Sequence, residues 1–129
     1  MRIAELAHEA GVRVDTVRYY ERRGLLGAPP RTPGGYRDYP EHAVKIVRFI
    51  KRAQSLGFTL GEIRDLLALR RSDATCNAVR ATVEAKLAEI QAKTRHLQAM
   101  RRTLRGLVGE CPPDRPLSEC PILESWDDL

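Results

Sequence analysis

The stretch IAELAHEAGVRVDTVRYYERRGLL, Ile3 to Leu26, decides the fold. Ile3, Leu6, Ala7 and Ala10 recur at helical spacing, and Gly11 breaks the run. Val14, Val17 and Tyr20 restart an apolar stripe that Gly24 ends. Two short helices joined by a tight turn containing glycine form a helix-turn-helix pattern. The outer side of the second helix carries Thr16, Arg18, Tyr19 and Arg22, hydrogen-bond donors and a stacking ring suited to nucleic acid.

Working outward, RTPGGYRDYPE (Arg31–Glu41) clusters proline and glycine at Pro33-Gly34-Gly35, with Arg31 before the turn and Tyr36, Arg37 and Tyr39 after it. This predicts a hairpin wing. Pro40 is expected in the first turn of a third helix, with Ala43, Val44, Val47 and Ile50 inward and Gly57 at its end. Thr59 and Glu62 have capping-box spacing, and Phe58 with Ile63 has staple spacing, so a fourth helix opens there and turns Ile63, Leu66 and Leu67 inward. The predicted fold is mainly α, with a winged helix-turn-helix DNA-binding domain over residues 1–72.

Charge points the same way. Residues 1–72 hold 14 Lys and Arg against 8 Asp and Glu, a net +6, while the remaining 57 hold 8 against 9, a net −1. Most of the N-terminal cations are arginine, whose planar fork suits phosphate. No apolar run is long enough to span a membrane and the first residues lack a secretory core, so a cytoplasmic location is expected. No Cys-x-x-Cys pair, nucleotide-binding glycine loop or catalytic triad pattern appears, which argues against an enzyme and against an organic cofactor.

Beyond a polar joint the pattern changes. Val79, Val83, Leu87, Ile90, Thr94, Leu97, Met100, Leu104 and Leu107 recur at steps of mostly three and four, with no proline from 76 to 110. This predicts one long helix within residues 73–110. A single helix cannot bury such a stripe alone, and the simplest partner is a second copy of itself in a homodimer.

Residues 111–129 then form a loop and a short helix that contain two of the three cysteines, in GECPPDRPLSECPIL (Gly109–Leu123). An odd thiol count in a reducing compartment favours metal binding or plain buried thiols over disulfides. Cys76 begins the long helix, and Cys111 and Cys120 follow its end. A helix of this length spans about 50 Å, so the three thiols of one chain cannot share an ion, whereas an antiparallel pair of helices brings Cys76 of one copy to Cys111 and Cys120 of the other. Cys120 before Pro121, and Cys76 in the first turn of its helix, gain thiolate character from helix N-termini. Three sulfurs without imidazole suit a large soft cation, Hg(II) or Pb(II). Tetrahedral zinc needs a fourth ligand, such as Asp114, Glu119 or water, and linear Cu(I) would leave Cys76 unexplained. A DNA-bending protein with a purely structural zinc is the competing reading.

IAELAHEAGVRVDTVRYYERRGLL, RTPGGYRDYPE and FIKRAQSLGFTLGEIRDLL together resemble the MerR family of transcriptional regulators, a likeness covering nearly the whole chain. Cys76 with the Cys111/Cys120 loop resembles the mercury-responsive branch, in which three such cysteines bind Hg(II) across an antiparallel dimer. Sensors of Zn(II), Cd(II) and Pb(II) carry similar sets, often with extra ligands, and copper-type sensors usually have serine at the position of Cys76. Arg13 departs from the Ser or Asn that many members use to cap the recognition helix.

The resemblance implies a homodimer on a pseudo-palindromic promoter, acting with RNA polymerase as repressor and activator by distorting the spacer DNA, here over mercury-resistance genes. Thr16, Arg18, Tyr19 and Arg22 are the expected groove and phosphate contacts, with Arg31, Tyr36, Arg37 and Tyr39 gripping the backbone beside the wing.

Overall fold

A computed structural model describes residues 1–127; Asp128 and Leu129, the end of the expected 111–129 segment, lie outside the described residues. Within that span run α1 (Ile3–Ala10), α2 (Val14–Arg22), α3 (Ala43–Ser55), α4 (Leu60–Arg70), α5 (Cys76–Gly109), a 3-10 turn (Leu117–Glu119) and α6 (Pro121–Asp127). Two compact units result. The first is a head from Met1 to Val83, which includes the opening turns of α5, and the second begins at Glu84.

Helix α1 ends where Gly11 takes φ 72°, and its N–H and that of Val12 return to His8 O and Ala7 O. A left-handed residue here closes the helix at little cost only if it lacks a Cβ. The tight reversal lets α2 start three residues later and pack across α1. Arg13 stands at the α2 N-cap without a side-chain cap hydrogen bond. Asp15 in the first turn supplies a negative charge near the exposed N–H groups in its place.

The head is organised around Leu6, Val17, Val47, Ile50 and Ile63, all fully buried, one or two from each of α1 to α4. Full burial of each such side chain is worth about 1.5–3 kcal/mol. Tyr20 of α2 is buried as well, and its hydroxyl donates to Gln54 Oε1 on α3 at 2.7 Å, which satisfies the one polar atom the ring carries inward.

Helix α4 opens with the predicted capping box. Thr59 Oγ1 accepts from Glu62 N at 3.2 Å, and Glu62 Oε1 accepts from Thr59 N at 2.8 Å. Phe58 and Ile63 both join the core.

Two local expectations change. Pro40 does not sit within α3. It leads into the helix through a turn in which Ala43 N donates to Pro40 O at 3.0 Å, and the regular helix starts at Ala43. The wing is also not a hairpin of extended strands, because pairing between its arms is limited to one antiparallel bridge, Arg31 with Arg37. Pro29, Pro30 and Pro33 offer no N–H to a ladder, and Gly35 at φ 84° turns the chain too soon for more pairing.

In the second unit, α5 continues without a break to Gly109, making the whole helix 34 residues, about 50 Å at 1.5 Å per residue. Leu87, Ile90, Leu97, Met100 and Leu104 are 42–61% exposed along it. Lys86, only 5% exposed, pairs with Glu89 Oε2 at 2.8 Å, and Lys93 pairs with Glu89 Oε1 at 3.1 Å. These two cations hold the Glu89 carboxyl below its usual range.

Leu6→Ala is expected to lower the unfolding free energy of the head by about 2–5 kcal/mol, and Thr59→Ala by about 1 kcal/mol. Urea titrations followed by far-UV circular dichroism measure both. Equal effects would contradict a core centred on Leu6.

Candidate functional site

The exposed face of α2 follows from its periodicity. Val17 and Tyr20 point into the core, which leaves Arg18, Tyr19 and Arg22 outward. The Arg22 guanidinium lies 5.8 Å from the Tyr19 ring centroid, within cation–π range. Arg18 meets Asp15 at 3.6 Å, but both side chains are more than half exposed, so the pair holds Arg18 weakly. Thr16 is half-buried and lies about 200° around the helix from Arg18. It lines a different depression, with Arg13, Lys51 and Gln54. The two residues therefore stand on opposite flanks of the exposed face.

The wing meets α2 on the Arg18 flank. Thr32 N donates to Tyr36 O at 2.6 Å, Gly35 N to Thr32 O at 2.9 Å, and Arg31 Nη1 to Gly35 O at 2.9 Å, so the turn is held by its own residues. A groove of about 340 Å³ opens between wing and helix, lined by Arg18, Arg31, Tyr36 and Arg37 together with Arg2 and Ile3. Four of the expected contact residues thus come from two elements to one place.

Glu21 holds that arrangement together. It lies on the inward edge of α2, with its side chain 11% exposed. Its Oε2 accepts from Arg37 Nη1 at 2.6 Å, and its Oε1 accepts from the Tyr39 hydroxyl. The Arg37 guanidinium is held further into its charged form by the hydrogen bond with Tyr39 and the charge of Glu21. The Tyr39 hydroxyl is pushed above its ordinary value by burial and by its bond to Glu21. Tyr39, expected to grip the DNA backbone, is 2% exposed: its ring is core and its hydroxyl is bonded to Glu21. Sequence spacing missed this because a tyrosine beside a basic turn looks the same whether it faces in or out. The chain pairs Glu21 with residues 16 and 18 positions away, beyond any local pattern.

The thiols divide between the units. Cys76 opens α5 and is exposed, while Cys111 and Cys120 are partly buried in the second unit. These two lie close enough for each to shift the other's pKa. Partial burial and donation to Cys120 raise the Cys111 pKa, against Arg115. At Cys120 the N–H of Leu123, then that of Ile122 and the Cys111 thiol, lower the pKa against burial and Glu124. Cys120 is therefore the readier thiolate, and the physical cause is the first turn of α6, whose free N–H groups face its sulfur. Among the described residues of one chain, no three His, Cys, Asp or Glu side chains converge on a point suited to a metal ion.

Residues 1–70 match the MerR HTH family of regulatory proteins, and residues 44–107 match the MerR DNA-binding family. The chain is 44% identical over 125 residues to a mercuric resistance operon regulatory protein of Bacillus cereus, covering 96% of this chain and 95% of that one. It superimposes on the lead(II) complex of the regulator PbrR691 from Ralstonia metallidurans CH34 with a TM-score of 0.90 at 41% identity, covering 98% of each chain. Against the mercury(II) complex of MerR from Bacillus megaterium MB1, the TM-score is 0.76 at 40% identity, again over 98% of each chain.

The chain belongs to the MerR family of helix-turn-helix transcriptional regulators. Within it, the chain is a metal-responsive DNA-binding regulator and not an enzyme. Among the described residues no helix is long and apolar enough to cross a membrane.

With the reduced, metal-free protein, iodoacetamide is expected to modify Cys120 before Cys111 as pH rises from about 6 to about 9, since a lowered pKa exposes thiolate earlier and a raised one later. Peptide mass mapping reads the order, and the reverse order would contradict the bonding of Cys120 to the α6 N–H groups.

Proposed function

We propose that this protein is a mercury-responsive regulator of mercury-resistance genes, working as a homodimer that pairs α5 antiparallel with the α5 of a second copy. One observation carries the reading. Cys111 and Cys120 lie close enough to shift each other's pKa but find no third ligand among the described residues, while Cys76 stands exposed at the start of an unbroken helix. A second copy running the other way would bring its Cys76 beside the pair and cover the exposed α5 stripe. The same two-fold would present two α2 helices to successive major grooves of a pseudo-palindrome.

Cys111 and Cys120 of one protomer with Cys76 of its partner would hold Hg(II), a soft cation that binds thiolates and accepts three-coordinate sulfur. The Bacillus relatives support mercury. A loop closed on the partner's Cys76 would couple the second unit of one copy to the head of the other. Two heads so shifted would deform the promoter spacer that RNA polymerase must span, at a DNA cost of order 1–10 kcal/mol. Such a switch requires that the ligand bind the distorting state more tightly.

Lead(II) is the second reading, favoured by the similarity to PbrR691. Competition between the two cations, followed through sulfur-to-metal charge-transfer absorption, separates the readings: Hg(II) should displace Pb(II) and not the reverse.

Cys76→Ser is expected to abolish metal-induced transcription in vitro while metal-free operator affinity stays at the wild-type value. A full metal response in this variant would end the three-thiol model. Leu104→Glu, which places a charge in the proposed seam at a cost of several kcal/mol, should give a monomer by sedimentation velocity. A dimer of wild-type stability would place the interface elsewhere.

A further inference from the structure

The groove between wing and α2 includes a cation that neither the helix-turn-helix pattern nor the wing pattern singles out. Arg2 precedes α1 and is exposed, and its guanidinium lies 4.0 Å from the centroid of the Tyr36 ring. It shares the groove with Arg18, Arg31 and Arg37, and no carboxylate lines it. Four arginines facing one space without an anion repel one another, unless an anion enters or each is engaged elsewhere.

Their engagements differ. Arg37 is joined to Glu21 at 2.6 Å. Arg31 spends one N–H on Gly35 O, and a guanidinium has five to offer. Arg18 has the loose, exposed contact with Asp15. Arg2 rests on the face of Tyr36, an attraction that leaves the in-plane N–H groups unspent.

We infer that Arg2, Arg18 and Arg31 form a seat for a diester phosphate of duplex DNA, with Tyr36 as the platform that orients Arg2, and with Arg37 as a strut that binds the wing to α2 through Glu21. The inference rests on the DNA-binding reading and deepens it by naming a contact residue outside the recognition helix and the wing. The ring lowers the entropy lost when Arg2 closes on phosphate, because the guanidinium plane is already oriented. A phosphate contact positions the protein on DNA without reading sequence, so its loss should weaken all duplexes alike.

The test is Arg2→Gln in the full-length, metal-free protein, bound to an operator duplex and to an unrelated duplex of equal length over a series of salt concentrations. Affinity for both should fall by about three- to tenfold near physiological salt, and the slope of log affinity against log salt should become shallower by about one. Arg2→Lys keeps the charge and should restore the slope while recovering only part of the affinity.

A wild-type slope in Arg2→Gln, or a loss confined to the operator, would overturn the phosphate seat. Thermal melting and Hg(II) titration of the same variant distinguish the outcomes. Unchanged melting and metal binding with an unchanged slope reject the seat and leave the regulator reading standing. If the wild type itself fails to prefer the operator duplex over the unrelated one, it is the regulator reading that fails.

Discussion

An α-helix 34 residues long with an apolar stripe cannot bury that stripe against itself, and everything beyond the head depends on how α5 meets this constraint. Leu87, Ile90, Leu97, Met100 and Leu104 stay open to solvent because the second unit has only the 3-10 turn and the seven-residue α6 besides the rest of α5. Their burial would contribute about 25 cal/mol per Å² of apolar surface removed from water. The thiols carry the same message in chemical terms. Two neighbouring free thiols would make half of a soft-metal site, and the exposed Cys76 thiol begins the helix whose stripe is exposed. A second copy would answer both deficits at once.

The head, by contrast, is complete. Its core draws on all four helices, and its polar joints are satisfied: Tyr20 by Gln54, Arg37 and Tyr39 by Glu21, and the α4 N-terminus by Thr59 and Glu62. Glu21 matters most to function among these. Its partly buried carboxylate links the recognition helix to the wing, so the two surfaces that would touch DNA are held as one body. An isolated carboxylate at such a site would be costly. Here the guanidinium and hydroxyl meet both oxygens, which makes the junction rigid rather than merely charged.

The helices were legible in the chain because their signals are local. Gly11 and Gly24 stop helices through positive φ, Thr59 and Glu62 cap one reciprocally, and the three-and-four spacing of apolar residues marks each inward face. The predicted wing was placed correctly along the chain but given too much β structure, since prolines mark a turn without saying how many ladder bonds survive beside it. Within the candidate site, Arg18, Arg31, Tyr36 and Arg37 do gather at one groove, whereas Thr16 sits on the far flank of α2 and Tyr39 turns into the core.

Residue order by itself determined what depends on neighbours within about one helical turn: where helices begin and end, which faces are apolar, and which half of the chain is basic. It also pointed any metal chemistry toward sulfur and away from imidazole, since no histidine lies near the thiols in sequence. Tertiary structure alone decided the partners of Glu21, the burial of Tyr39, the stacking of Arg2 on Tyr36 and the proximity of Cys111 to Cys120. These pairs lie from 9 to 34 positions apart, and a hydrogen bond or ring contact at such separation is set by how helices and loops pack in three dimensions, which no spacing rule along the chain encodes.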